Sequence, residues 1–165
     1  MDGGRTMERR LVVICSGFLF ILAMVGPHSL ARANDVEAEF KALITELDAR
    51  WNARDAGAMS KLFAANVDFR IYGTRHYRSR EEFRLHYEEA FSKRVPADVR
   101  HATSLQTIRN LAAGIAVLDG EVIVGKPDAP DSDMRYFYYT ALVVKRDGGW
   151  EFDTFRVAQK LKSTP

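Results

Sequence analysis

The chain has 165 residues, 47% of them hydrophobic and 28% charged, with 24 Lys and Arg against 22 Asp and Glu, a formal net charge of +2 and one cysteine. That length suits one domain with a proper hydrophobic core. A nearly balanced charge excludes the basic surface with which nucleic-acid binders neutralise phosphates, so no nucleic-acid partner is expected.

The first 33 residues read as a leader. Arg5, Arg9 and Arg10 precede an apolar run from Leu11 to Val25, Gly26-Pro27 breaks it, and Ala31-Arg32-Ala33 supplies a small-x-small cleavage pattern. Residues 1–33 are therefore expected to be a signal peptide cleaved after Ala33, leaving residues 34–165 as one domain in the periplasm or outside the cell. An apolar run of about fifteen residues falls short of the roughly 20 that span a bilayer, so no membrane attachment is expected after cleavage. The leader holds four of the Lys and Arg, two of the Asp and Glu, and Cys15. The remainder of the chain is neutral and free of cysteine, which rules out disulfides, thiolate catalysis and zinc–thiolate sites there.

Helical periodicity comes first in the domain. Val36, Phe40, Leu43, Ile44, Leu47 and Trp51 recur on one face while Glu37, Lys41, Glu46, Asp48 and Arg50 take the other, which predicts a helix over 35–53. Asp55 is the expected N-cap of a short second helix with Met59, Leu62 and Phe63 on its stripe. Val67 to Tyr72 reads as a strand. Ser79 and Glu82 form a capping-box pattern for a third helix with Phe83, Tyr87, Ala90 and Phe91 inward, ending before Pro96. Strand patterns then occupy 99–110, 115–124, 135–145 and 150–158, with Asp147-Gly148-Gly149 as a tight hairpin and 126–133 as a longer loop. Helices followed by long strands predict an α+β domain.

Trp51-Asn52-Ala53 with Asp55, Leu62-Phe63-Ala64, Gly73 after the first strand and Gly148-Gly149-Trp150 before the last give a chain that resembles the nuclear transport factor 2-like superfamily, in its SnoaL-like or ketosteroid-isomerase-like branch. The resemblance implies a cone-shaped, curved antiparallel sheet with three N-terminal helices packed on its concave face, and a homodimer formed through the other face. Ketosteroid isomerases need a carboxylate base on the first strand and an oxyanion hole from a tyrosine and a protonated aspartate. Matching through Asp55 and Gly73 puts Leu47, Arg70 or Ile71, and Tyr138 at those places, and none of the first three can do that chemistry. Ketosteroid-type isomerisation is excluded on the residues.

The expected ligand is instead a small organic molecule in an aromatic, hydrogen-bonding pocket. Strand alternation puts Tyr136, Tyr138 and Thr140 on one face of their strand and Arg135, Phe137 and Tyr139 on the other; the match at Tyr138 makes the first set inward. His86 and Tyr87 border the third helix's stripe, and His86 is the candidate general acid or base because an imidazole titrates near neutrality. Trp51 closes the first helix's stripe. Asp68, Arg70 and Tyr72 share one face of the first strand: either Arg70 points into the cone and fixes an anion, or this face meets solvent while Val67, Phe69 and Ile71 fill the core. Arg156 could act like Arg70 from the last strand. Asp119 and Glu121 flank Gly120 at an expected bend and face water. Arg75 and His76 lie in a loop, and His101 on a strand of undetermined facing. No nucleotide or flavin motif and no metal-ligand spacing is present, so neither cofactor nor metal is expected. Two functions stay open: an exported small-molecule-binding protein with isomerase-like or hydrolase-like turnover, or a non-catalytic dimerisation or protein-interaction module.

Overall fold

The computed structural model describes residues 28–160, and the side chains of residues 35–160. The predicted signal peptide lies outside these residues up to Pro27. Helix α1 (His28–Asn52) begins seven residues before the expected start, since Ser29-Leu-Ala-Arg-Ala is a run of good helix formers with nothing to stop it. Phe40, Leu43, Ile44, Leu47 and Trp51 are its buried stripe. The helix ends in a Schellman turn: the Asp55 amide donates to the Arg50 carbonyl at 3.0 Å and the Arg54 amide to that of Trp51 at 2.9 Å. Arg54 holds the left-handed conformation this turn needs, φ 60°. Its guanidinium is tied down by the Val95 carbonyl at 2.8 Å.

Asp55 caps helix α2 (Ala56–Ser60) as expected, accepting from the Ala58 amide at 2.8 Å. Phe63 belongs to strand β1 (Phe63–Ile71) rather than to that helix. After a turn at Gly73, a three-residue strand, β2 (Arg75–Tyr77), pairs back on β1. Helix α3 (Arg80–Lys93) is capped by Ser79, which accepts from the Glu82 amide at 3.1 Å. The long strands are β3 (Arg100–Ala112), β4 (Ile115–Gly125), β5 (Arg135–Arg146) and β6 (Gly149–Gln159).

The six strands form one sheet in the order β2-β1-β6-β5-β4-β3. It is mixed rather than wholly antiparallel, because β1 runs parallel to β6, with Phe69 opposite Phe155 and Arg70 opposite Arg156. Register shifts in β3, and between Leu142 and Val143 where β5 meets β6, mark bulges, which bend strands and curve the sheet. Helices and sheet share one core on the concave face, where Leu118, Ala141, Val143 and Phe152 are wholly buried. Among the described residues, no helix is long and apolar enough to cross a membrane.

Candidate functional site

The helices do not fill the concave face. Between them and the sheet lies a cavity of about 840 Å³. Its walls are apolar: Leu47 and Trp51 from α1, Met59 from α2, Phe83 and Tyr87 from α3, and Phe63, Phe69, Val122 and Phe155 from the sheet. Phe69 and Phe155 stack at 5.4 Å between centroids, and Phe83 packs on Tyr87 at 4.7 Å. The ring burial that builds these walls pushes the Tyr87 phenol well above its usual proton affinity, so it stays a neutral hydroxyl.

Two histidines also line the cavity, His86 and His101. His101 stands on β3, opposite Val124, and stacks on the Trp51 indole at 5.1 Å. Its Nδ1 lies 2.7 Å from Asp48 Oδ1. The Asp48 carboxylate also accepts from the Thr103 hydroxyl at 2.6 Å and, through Oδ2, from the Thr103 amide at 2.8 Å. One helical turn further along α1, the Asn52 side chain accepts from the His101 amide at 2.8 Å and donates to the His101 carbonyl at 2.9 Å. β3 is the edge strand of the sheet, so these α1 side chains pair donors and acceptors that no further strand would meet. The same contacts hold the imidazole with the Nδ1 proton facing a carboxylate. That leaves Nε2, which makes no hydrogen bond among the described residues, as the basic nitrogen.

His86 is held differently. It packs between Tyr77 and Tyr87, at 4.8 and 5.0 Å, and its Nδ1 accepts from Arg94 Nη2 at 3.2 Å. Burial, then the charges of Arg94 and Arg75, lower its proton affinity below the ordinary 6.5, with only Glu89 opposing. A histidine depressed in the folded state is protonated first in the unfolded chain, so stability should fall as pH drops through 6.5. The stability difference between wild type and His86→Gln, from urea midpoints between pH 7.5 and 5, should therefore shift against the wild type toward acid. A difference that does not vary with pH would contradict this.

Trp51, Tyr72, His86 and Tyr87 thus reach the cavity, while four other expected residues do not. Arg70 and Arg156 lie opposite one another on the outer face of the sheet. There Arg156 pairs with Asp68, His76 Nε2 meets Asp68 Oδ1 at 2.5 Å, and Arg70 Nη2 meets His76 Nδ1 at 3.2 Å. Asp68 is held below the usual carboxylate range by Arg156 first and also by His76. Tyr138 is 47% exposed under the Lys160 ammonium, and the exposed Thr140 hydroxyl donates to Asp119 at 2.6 Å. On β5 the cavity is lined by Arg135 and Phe137, and Tyr139, Ala141 and Val143 of the same face are buried. Since side chains alternate along a strand, one wrong parity sends Tyr138 and Thr140 to the wrong face together. Asp48 and Arg75 are the reverse case: periodicity puts the first on the polar side of its helix, and the second reads as part of a loop. Among the described residues no cluster of acidic, histidine or cysteine side chains is arranged to hold a metal ion.

No family model and no curated protein sequence matches the chain. Solved structures do match. A domain of unknown function with a cystatin-like fold from Nostoc punctiforme gives a TM-score of 0.68 at 20% identity, covering 77% of this chain and 78% of its own. An NTF2-like protein of unknown function from Shewanella oneidensis gives 0.64 at 15%, covering 74% and 98%. A ketosteroid isomerase-like protein from Erwinia carotovora atroseptica gives 0.59 at 13%, covering 76% and 96%. At these identities the likeness shows the fold, and the fold is the NTF2-like one expected from Trp51-Asn52-Ala53 and the glycine pattern.

Proposed function

We propose that this chain binds a small, largely apolar organic molecule in its concave cavity and moves a proton on it with His101. The observation that carries the reading is His101 in the cavity wall, beside aromatic and aliphatic side chains, with Asp48 behind it at 2.7 Å. A carboxylate fixing Nδ1–H leaves Nε2 as a general base on the ligand side and stabilises the imidazolium that proton abstraction creates. His86 lacks such a partner and is set against an arginine. That arrangement suits a neutral hydrogen-bonding group better than a proton acceptor. The step supported is proton abstraction from, or proton return to, a bound carbon or oxygen acid, the elementary act of isomerisation or elimination. Cavity size weighs against a purely structural module, because about 840 Å³ is well above the roughly 300 Å³ at which ligand pockets begin.

The test is a thermal-shift screen of small carbonyl and hydroxy compounds, followed by NMR of each binder in D2O. Wild type should exchange or transform a ligand C–H, and His101→Gln should bind the same compound without doing so. Binding with no proton exchange in either protein would remove the chemical half of the proposal. Absence of any binder would remove both halves.

A further inference from the structure

The exposed residues that line the cavity define its mouth. They are Tyr72, Thr74 and Arg75 around the β1–β2 turn, Arg94 just past the end of α3, and Arg135 and Gln159 where β5 starts and β6 stops. Three of these six are arginines. Among the described residues, no aspartate or glutamate lines the cavity at any depth. Arg75 and Arg135 make no ion pair among the described residues, and Arg94 has only a long contact, 3.8 Å, to Glu89 Oε2 besides its bond to His86. Arg94 and Arg135 also line a second cavity of about 310 Å³ that opens beside the first. The two hollows thus share Arg94, Arg135 and Val124, and the second is also lined by Lys126 and Asp133. Cations at the mouth repel one another and strengthen the field at a low-dielectric opening. The proton affinity of His86, lowered first by burial, is lowered further by the charges of Arg94 and Arg75.

We infer that Arg75, Arg94 and Arg135 form an anion subsite at the cavity mouth, so that the ligand is an amphipathic organic acid with its apolar body inward and its acid group at the rim. This rests on the cavity being a ligand site. It adds which chemical class enters and which way round. Guanidinium forks match carboxylate, sulfonate or phosphate oxygens in pairs, and the apolar wall beyond them offers an acid group nothing. Orientation follows from that contrast: the acid end stays with the arginines, and the body extends toward Trp51, Phe83 and His101.

A matched pair of fluorescent probes tests this directly: 1-anilinonaphthalene-8-sulfonate, and N-phenyl-1-naphthylamine, which has the same rings without the sulfonate. The sulfonate should bind about tenfold more tightly or better, as a charged hydrogen bond at a partly wet site would give, and the margin should shrink as salt is raised. In the double variant Arg94→Gln, Arg135→Gln the sulfonate should lose about that factor while the neutral amine keeps its affinity, which also shows that the variant has folded. Arg109→Gln, on β3 and paired with Asp119 at 3.8 Å, removes the same kind of charge away from the mouth and should change neither. Equal binding of the two probes, or equal losses in the two sets of variants, overturns the anion subsite and leaves the cavity as a site for neutral molecules. If neither probe binds wild type, the ligand-site reading fails as well.

Discussion

Gly120→Ala is expected to cost more than about 3 kcal/mol, at or beyond the upper end for overpacking, because the added methyl has nowhere to go. Gly120 sits in mid-β4, opposite Leu105 on one side and Tyr139 on the other. A Cβ there would lie far inside contact distance of the Ser104 carbonyl oxygen, and 2.7 and 2.9 Å from Cε1 and Oη of Tyr139. The tyrosine ring is 2% exposed and cannot swing out, while the carbonyl is backbone. Relief would require β3 and β4 to separate at the bulge between Leu105 and Thr107. Two measurements check this. Gly120→Ala should shift the urea midpoint sharply to lower denaturant, and adding Tyr139→Ala should not restore it, since the Ser104 contact remains. A loss below about 1 kcal/mol would mean that the two strands part there with little strain, which is incompatible with such close packing. The sequence pattern suggests a bend at Gly120. A register shift of β3 does fall beside it, between Leu105 and Thr107, while the pairing of β4 with β5 runs through it without a shift, and what requires a glycine there is the close approach of Ser104 and Tyr139.

That difference illustrates what one sequence reveals. Periods of 3.6 and 2 place helices and strands well because each buries one face; Phe40 to Trp51 leave no second choice, and of the two facings open to the first strand the structure takes the one that buries Val67 and Phe69. Tyr136-Phe137-Tyr138-Tyr139 does leave one. Both parities are aromatic, so the pattern cannot say which pair faces the core, and resemblance tips it the wrong way. The parallel pairing of β1 with β6 joins residues far apart in the chain, about which local pattern is silent. β2 is only three residues long. Trp51-Asn52-Ala53 is legible as a mark of the fold, and the structure supplies its physical reason: Trp51 stacks on His101, and Asn52 pairs with the edge of β3. That Asp48 and His101 meet cannot be read from sequence, because they are 53 positions apart and each looks ordinary alone. Their only signal is positional: Asp48 lies one turn before the recognisable Trp51-Asn52, on the flank that adjoins the stripe.

Asp48 therefore carries the other large expected effect, and two substitutions divide its structural part from its chemical one. Asp48→Ala removes the acceptor of the Thr103 amide, the Thr103 hydroxyl and His101 Nδ1. Aspartate and histidine side chains here are only 22% and 12% exposed, so water can replace these bonds only in part, and the expected loss is about 3 kcal/mol. Asp48→Asn keeps an oxygen for Thr103 but presents an N–H to His101. The imidazole must then accept at Nδ1 and carry its proton on Nε2, which leaves the cavity side with a donor and no base. Stability should fall by about 1 kcal/mol, one net hydrogen bond. Any proton exchange found with wild type should fall by 10²-fold or more, on the order of a whole general-base contribution. Nitrogen-15 NMR of His101 reads the tautomer without a substrate: Nδ1–H in wild type and Nε2–H in Asp48→Asn. If both proteins show the same tautomer, Asp48 does not orient the ring, and His101 loses its claim to be the proton-transfer group.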